Sequence, residues 1–156
     1  MIRVLFVCHG NICRSPMAEF IFKALVKKEG LSDYFEIASA ATSQEALGYP
    51  VHRGTRKKLA EVGISTEGKR AVQMTRMDYK RYDYLIGMDD WNIRNILGIT
   101  GPDTDHKIYK LLDFTSRPGD IADPWYRGNF DDTYKDVLEG CKGLLQHIID
   151  KREISR

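Results

Sequence analysis

The residues best suited to chemistry lie close to the N-terminus. Positions 8 to 16 read Cys-His-Gly-Asn-Ile-Cys-Arg-Ser-Pro, with five residues between Cys8 and Arg14. A turn of this length, with Gly10 and Asn11 able to take unusual backbone angles, can curl its amide N–H groups inward around an anion. Arg14 adds a planar fork of donors that matches two oxygens of a phosphate-like group. Cys8 then sits at the bottom of a positive bowl, where its thiolate is stabilised and faces the bound group as a nucleophile. Ser15 is placed to hydrogen-bond that sulfur. His9, Gly10, Asn11, Ile12, Cys13 and Ser15 are the expected walls and amide donors of the bowl. An unpaired cysteine is often only a small core residue, but Gly, Asn and Arg at these offsets argue against that reading of Cys8.

Such a turn needs a buried strand to deliver Cys8 and a helix to begin beyond it. Ile2 to Val7 is a near-continuous apolar run of β-formers, as in a strand covered on both faces. Ser15 and Pro16 open a helix, Ser as cap and Pro at the first helical position. Met17, Phe20, Ile21, Ala24 and Leu25 follow at helical spacing, and Gly30 stops it. Further strands are expected at Phe35 to Ser39, Tyr82 to Met88 and Lys107 to Phe114. Helices are expected at Gly54 to Val62, Asp90 to Leu97 and Phe130 to Asp150, with a long loop over Thr115 to Asn129. This alternation predicts one three-layer α/β/α domain over residues 1–156, with a four-stranded parallel sheet of flavodoxin-like order 2-1-3-4. Ligands then bind beyond the carboxyl ends of the strands.

The stretch Val7-Cys8-His9-Gly10-Asn11-Ile12-Cys13-Arg14-Ser15-Pro16 resembles the signature of the low-molecular-weight protein tyrosine phosphatases. The similarity extends through Ser39-Ala40-Ala41-Thr42, Met88-Asp89 and Asp123-Pro124. The resemblance implies a phosphomonoesterase without metal or other cofactor. It would act on phosphotyrosine-containing proteins or peptides and on small aryl phosphates, through a cysteinyl-phosphate. By the same resemblance Cys8 is the nucleophile, Arg14 binds phosphate and Ser15 supports the thiolate. Asn11 and Ser39 hold the loop in shape, and Asp123 is the general acid and then the base. Asp89 matches a further supporting aspartate.

Asp123 lies on the long loop before Pro124, which restricts its backbone to extended angles; Asp120 is the fallback acid. Trp125 and Tyr126 either stack on a phenyl ring as pocket walls or only anchor the loop. Relatives resembling protein-arginine phosphatases tend to carry Thr at the position of Ile12. A β-branched apolar residue leaves less room and no hydroxyl for a guanidinium phosphate, which favours tyrosine. Cys13 is either a redox partner that captures an oxidised Cys8 as a disulfide or a buried structural thiol. Cys141, on the apolar stripe of the last helix, reads as core.

Two positions depart from the family pattern. Glu45 stands where many members have an aromatic residue, giving one wall of the mouth an acidic character that should disfavour acidic peptides. Gly68 stands where many carry a His that pairs with the aspartate matching Asp89. His9 is likewise not a general feature and is either a specificity residue or a bystander.

Composition narrows the alternatives. Lys plus Arg is 24 against 22 Asp plus Glu, a net of +2, too balanced for a nucleic-acid or membrane-surface protein. Apolar stretches are too short to span a bilayer. No secretory signal is evident and the three cysteines are odd in number, so reduced thiols and a cytoplasmic location are expected, with a monomer or weak homodimer. Gly63 to Arg70 approaches a nucleotide-binding Walker loop, but Arg70 replaces the Ser/Thr and a helix precedes it. Residues 52 to 81 hold nine Lys/Arg against three acids, which could steer anions or only solvate a helix face. No Cys/His spacing suggests a metal site, and His52, His106 and His147 are isolated. An arsenate reductase on this fold would need more cysteines, typically after the third strand, and Gly87 to Ile99 has none. A phosphotyrosine-binding module without turnover would not need both Cys8 and Asp123.

Overall fold

The structure is a computed structural model that describes residues 1–152, apart from the side chains of Tyr126 and Arg127. Four parallel strands, β1 (Ile2–Cys8), β2 (Phe35–Ala41), β3 (Tyr84–Gly87) and β4 (Ile108–Lys110), are ordered β2-β1-β3-β4. β1 is central and carries the register for its neighbours, with Cys8 opposite Ala41 and Val7 opposite Gly87. Its alternation sorts side chains between two cores. Val4, Phe6 and Cys8 face the larger one, shared with Met17, Phe22, Val137, Leu144 and Ile148 of helices α1 (Arg14–Lys28) and α6 (Phe130–Arg152). Leu5 and Val7 face the smaller one, with Leu85 of β3 and Ile96 of α4 (Asp90–Thr100). A strand buried on both sides reads as the near-continuous apolar run seen in the sequence, broken only by the exposed Arg3 at its start.

Three further helices complete the chain: α2 (Arg53–Glu61), α3 (Asp78–Arg81) and α5 (Pro124–Arg127). The short α5 falls inside the segment expected as a loop, and α3 lies in a stretch for which the sequence suggested no element. The expected strand over Lys107 to Phe114 is corrected: pairing ends at Lys110, and Leu111–Phe114 form a 3₁₀ turn. The cause is on α6, where Gly140 and Gly143 leave a notch. A side chain at Gly140 would collide with Leu111, and one at Gly143 with the Phe114 carbonyl, so close packing on the helix takes precedence over strand extension. The third strand likewise spans Tyr84–Gly87 rather than Tyr82 to Met88.

The start of α1 also differs from expectation. The capping position is Cys13 with no side-chain cap, and Ser15 and Pro16 lie one and two residues inside the first turn. Ser15 does not cap the helix because its hydroxyl is engaged elsewhere, as described next.

Candidate active site

β1 and α1 are joined by the 8–14 turn, whose carbonyls are tied outward. Cys8 O accepts from Thr42 N at 3.0 Å, His9 O from Ser43 N at 3.0 Å, and Ile12 O from His52 N at 2.8 Å. Cys13 O accepts from Thr55 Oγ1 at 3.2 Å. In a planar trans peptide the N–H points opposite the C=O, so the amides of His9, Gly10, Cys13 and Arg14 face the inside of the turn. Asn11 takes the left-handed conformation, φ 58°, whereas Gly10 does not; a β-carbon at Gly10 would meet only ordinary contacts. Asn, one of the few non-glycine residues to tolerate this region, is thus the one that bends the loop.

Behind the turn lies a buried polar chain. Asn11 Nδ2 donates to Ser15 Oγ at 2.7 Å and to Ser39 Oγ at 2.9 Å, and its Oδ1 accepts from Val72 N at 3.1 Å. Ser39 donates onward to Glu19, whose other oxygen binds Lys23 Nζ at 2.6 Å. Lys69 Nζ donates to Ser39 O at 3.0 Å and stands 3.7 Å from Glu19; burial lowers its pKa, an effect the Glu19 carboxylate opposes. Cys8 Sγ lies 3.0 Å from Ser15 Oγ and 3.4 Å from Ser15 N. Because Ser15 Oγ already accepts from Asn11, its own proton is free for the sulfur, which suits a thiolate.

Arg14 is only 3% exposed. Its Nη1 donates to Asp89 Oδ2 at 2.6 Å and to Ile121 O at 2.9 Å, and its Nη2 lies 3.5 Å from Asp123 Oδ2. Burial disfavours its charge, yet Cys8, the hydrogen bond to Asp89 and the neighbouring carboxylates hold its pKa above the ordinary arginine value. Asp89 does double duty, because Oδ1 caps α4 through Asn92 N at 2.8 Å. Ile121 N also bonds Met88 O at 2.9 Å. The 115–129 segment is therefore stitched to Met88, the residue after β3, and to Arg14, two residues before Asp123. Asp123 has the extended backbone expected before proline (φ −78°, ψ 115°), and Oδ1 accepts from Trp125 N at 3.0 Å.

These groups open onto one pocket of about 560 Å³ lined by Cys8, His9, Gly10, Ile12, Cys13 and Arg14 on the floor and by Asp123 and Trp125 on one wall. Glu45, Tyr49, His52, Arg53 and Arg56 contribute the rest of the rim. Asn11, Ser15, Ser39 and Asp89 stand behind it. Asp120 does not line it; its Oδ1 takes Lys110 Nζ at 3.0 Å and Asp90 N at 3.1 Å. Tyr126 was expected as a wall, but its side chain lies outside the described residues. Gly68 sits in a turn with φ 86°, and the basic group next to it, Lys69, serves Glu19 and Ser39. Tyr49 restores an aromatic side chain to the wall where Glu45 was expected to leave a polar one, and His52 stacks on Phe130 and packs edge-on to Trp125. Sequence reasoning missed Tyr49, His52, Arg53 and Arg56 as rim residues, and Glu19 and Lys69 as supports. Only the basic run beginning at Arg53 hinted at any of them.

All three cysteines are free and buried. Burial, with help from the charges of Cys8 and Asp123, pushes Cys13 up to about 12. Cys141 is fully enclosed, its pKa raised by burial, in agreement with a core role. Among the described residues no three His, Cys, Asp or Glu side chains are arranged to hold a metal ion, and no helix is long and apolar enough to cross a membrane.

The parallel α/β sheet ends its central strand in a cysteine, under an amide-lined turn closed by a buried arginine, an arrangement complementary in charge to an oxyanion. The family model for low molecular weight phosphotyrosine protein phosphatase matches residues 3–154. The chain is 40% identical over 156 residues to the low molecular weight protein-tyrosine-phosphatase YfkJ of Bacillus subtilis, covering 99% of this chain and 100% of that one. The crystal structure of YfkJ superposes with a TM-score of 0.94 over 97% of each chain. SP-PTP of Streptococcus pyogenes matches at 40% identity and TM-score 0.87, over 98% of this chain and 97% of that one. A Drosophila arginine phosphatase matches at 32% identity and TM-score 0.84, over 94% and 97%. The chain belongs to the low molecular weight phosphotyrosine protein phosphatase family and is an enzyme of that family.

Proposed function

We propose that the protein hydrolyses phosphotyrosine in proteins or peptides, and small aryl phosphates, in two steps through a cysteinyl-phosphate. The observation that carries this reading is the convergence of Cys8 Sγ, the inward amides, Arg14 and Asp123 Oδ2 on one pocket. In the first step the Cys8 thiolate attacks phosphorus while the P–O bond to the phenol breaks. Asp123 gives its proton to the departing oxygen. The inward amides and Arg14 hold the equatorial oxygens, on which charge accumulates in the transition state. In the second step Asp123, now a carboxylate, takes a proton from water, whose oxygen attacks phosphorus. The P–S bond breaks and Cys8 leaves as a thiolate, eased by the Ser15 hydroxyl.

The deep floor suits an aryl ester, whose ring would pass between Tyr49, Trp125 and Ile12. Ile12 also bears on the alternative, a phosphoarginine substrate: its apolar side chain offers no hydrogen bond to a guanidinium. Cys13, held as a thiol by burial, would capture an oxidised Cys8 only slowly, because the thiolate is the attacking species. The test is a panel of phosphotyrosine peptide, p-nitrophenyl phosphate and phosphoarginine, with chelator present. Turnover of the first two, with a burst of phenol equal to the enzyme, supports the reading. A clear preference for phosphoarginine, or dependence on added metal, overturns it.

A further inference from the structure

The rim of the pocket carries charge that the catalytic steps do not use. Arg53 and Arg56 open α2 one helical turn apart, so they share a face. Both line the pocket above Cys8, both are exposed, and neither has an ion pair or side-chain hydrogen bond among the described residues. Exposed cations elsewhere are matched, Arg3 and Arg81 with Glu36 and Arg117 with Asp136 and Glu139, as is the half-buried Lys58 with Asp131. The field of the two arginines reaches into the pocket. His52, which lines the same pocket, has its pKa lowered by burial first and then by Arg53 and Arg56.

The pocket also continues. Pro50, Val51 and Arg56 are shared with an adjoining groove of about 620 Å³, whose far wall includes Arg70 and a single acid, Glu67. Arg70 is steadied there by Gly48 O at 3.1 Å. Glu45 is the one acid lining the rim besides Asp123, and its Oε2 lies 2.9 Å from His9 Nε2, so among the described residues it has a partner and the arginines do not. A ring seated on Cys8 must send its peptide out across this rim.

Resting on the phosphotyrosine reading above, we propose that Arg53 and Arg56 form a subsite for acidic side chains flanking the phosphotyrosine. Acidic phosphotyrosine peptides are then preferred over neutral or basic ones, contrary to what Glu45 alone suggested. Exposed ion pairs are individually weak, each adding a factor of about three, so two together give about tenfold.

The experiment compares phosphotyrosine peptides of equal length flanked by Glu, Ala or Lys, with p-nitrophenyl phosphate as the small substrate. The wild-type kcat/KM ratio of Glu to Ala peptide should be about ten at low salt and fall to about two at ~0.5 M salt, where exposed charges are screened. In the Arg53→Ala, Arg56→Ala double variant the ratio should drop to about one. A wild-type ratio near one, or a preference that survives either salt or the double substitution, overturns the subsite. In that case the Ala peptide and p-nitrophenyl phosphate are still hydrolysed and the phosphatase reading stands. Failure of wild type to hydrolyse any of them removes both. The salt series needs no variant, so the proposal stays testable if the double substitution misfolds.

Discussion

The floor and the mouth of the pocket are built differently. On the floor Arg14, and directly behind it Asn11, Ser15 and Ser39, are each at most 3% exposed, and every one is tied by hydrogen bonds to a different element. At the mouth Tyr49 and Trp125 are 59% and 58% exposed, and Arg53 and Arg56 reach no side-chain partner among the described residues. Rigid preorganisation is needed where charge develops on phosphorus; a mouth that accepts varied protein surfaces gains from side chains still free to adapt. Substitutions on the floor should therefore act on kcat and those at the mouth on KM.

Cys8→Ser should have the largest effect. A serine hydroxyl stays protonated here and is a far weaker nucleophile, so kcat should fall by at least about 10⁴. The amides and Arg14 remain, so inorganic phosphate or vanadate should still bind in a calorimetric titration. Residual turnover near wild type would remove the thiol from the mechanism and with it the contrast.

Asp123→Asn comes next. Asparagine keeps an oxygen for Trp125 N, so the cap of α5 survives and only the proton is lost. With phenyl phosphate kcat should drop by about 10²–10³. The loss should be much smaller with p-nitrophenyl phosphate, whose leaving group needs little protonation. Equal loss with both substrates would mean the residue acts on structure, and unchanged rates would move the acid role to another group.

Asn11 tests whether the floor is rigid by construction. Asn11→Ala removes three hydrogen bonds and leaves a left-handed backbone under strain, costing about 2–4 kcal/mol of stability by urea denaturation. Loss of loop shape should lower kcat about 10–10². Asn11→Gly relieves only the backbone, so it should recover about 1 kcal/mol without recovering the rate. If glycine restores the rate, the hydrogen bonds to Ser15 and Ser39 are dispensable and the floor is held by conformation alone.

The same division explains what the sequence made legible. β1, the turn and the start of α1 are consecutive, so Cys8, Asn11 and Arg14 could be related by spacing alone. Asp123 was reachable only through the resemblance of Asp123-Pro124 to the family pattern, because spacing does not single out one acid on the 115–129 loop. Ser15 was misjudged as a cap because a local preference competes with a long-range bond, and the sulfur and Asn11 claim the hydroxyl. Lys69 meets Ser39 across 30 positions, and Tyr49 reaches the mouth only because Ser43 N on His9 O and His52 N on Ile12 O fix the loop path between them. Those contacts leave no periodic trace. The end of β4 depends similarly on glycines of α6, about thirty residues later.

The mouth supplies the smallest effects and the sharpest check on the contrast. Each exposed ring that stacks on the substrate is worth about 0.5–1.5 kcal/mol, or roughly two- to twelvefold in KM. Tyr49→Ala should raise KM for a phosphotyrosine peptide by about threefold and leave kcat within about twofold, since no hydrogen bond of the floor passes through it. Trp125→Ala should raise KM similarly and lower kcat slightly more. Its ring packs on His52, which stacks on Phe130, and its backbone N–H is the one that Asp123 accepts. Steady-state kinetics on one peptide and on p-nitrophenyl phosphate separate the two. A kcat loss above about tenfold for Tyr49→Ala would show that the mouth helps hold the floor, because stacking energy alone cannot supply it.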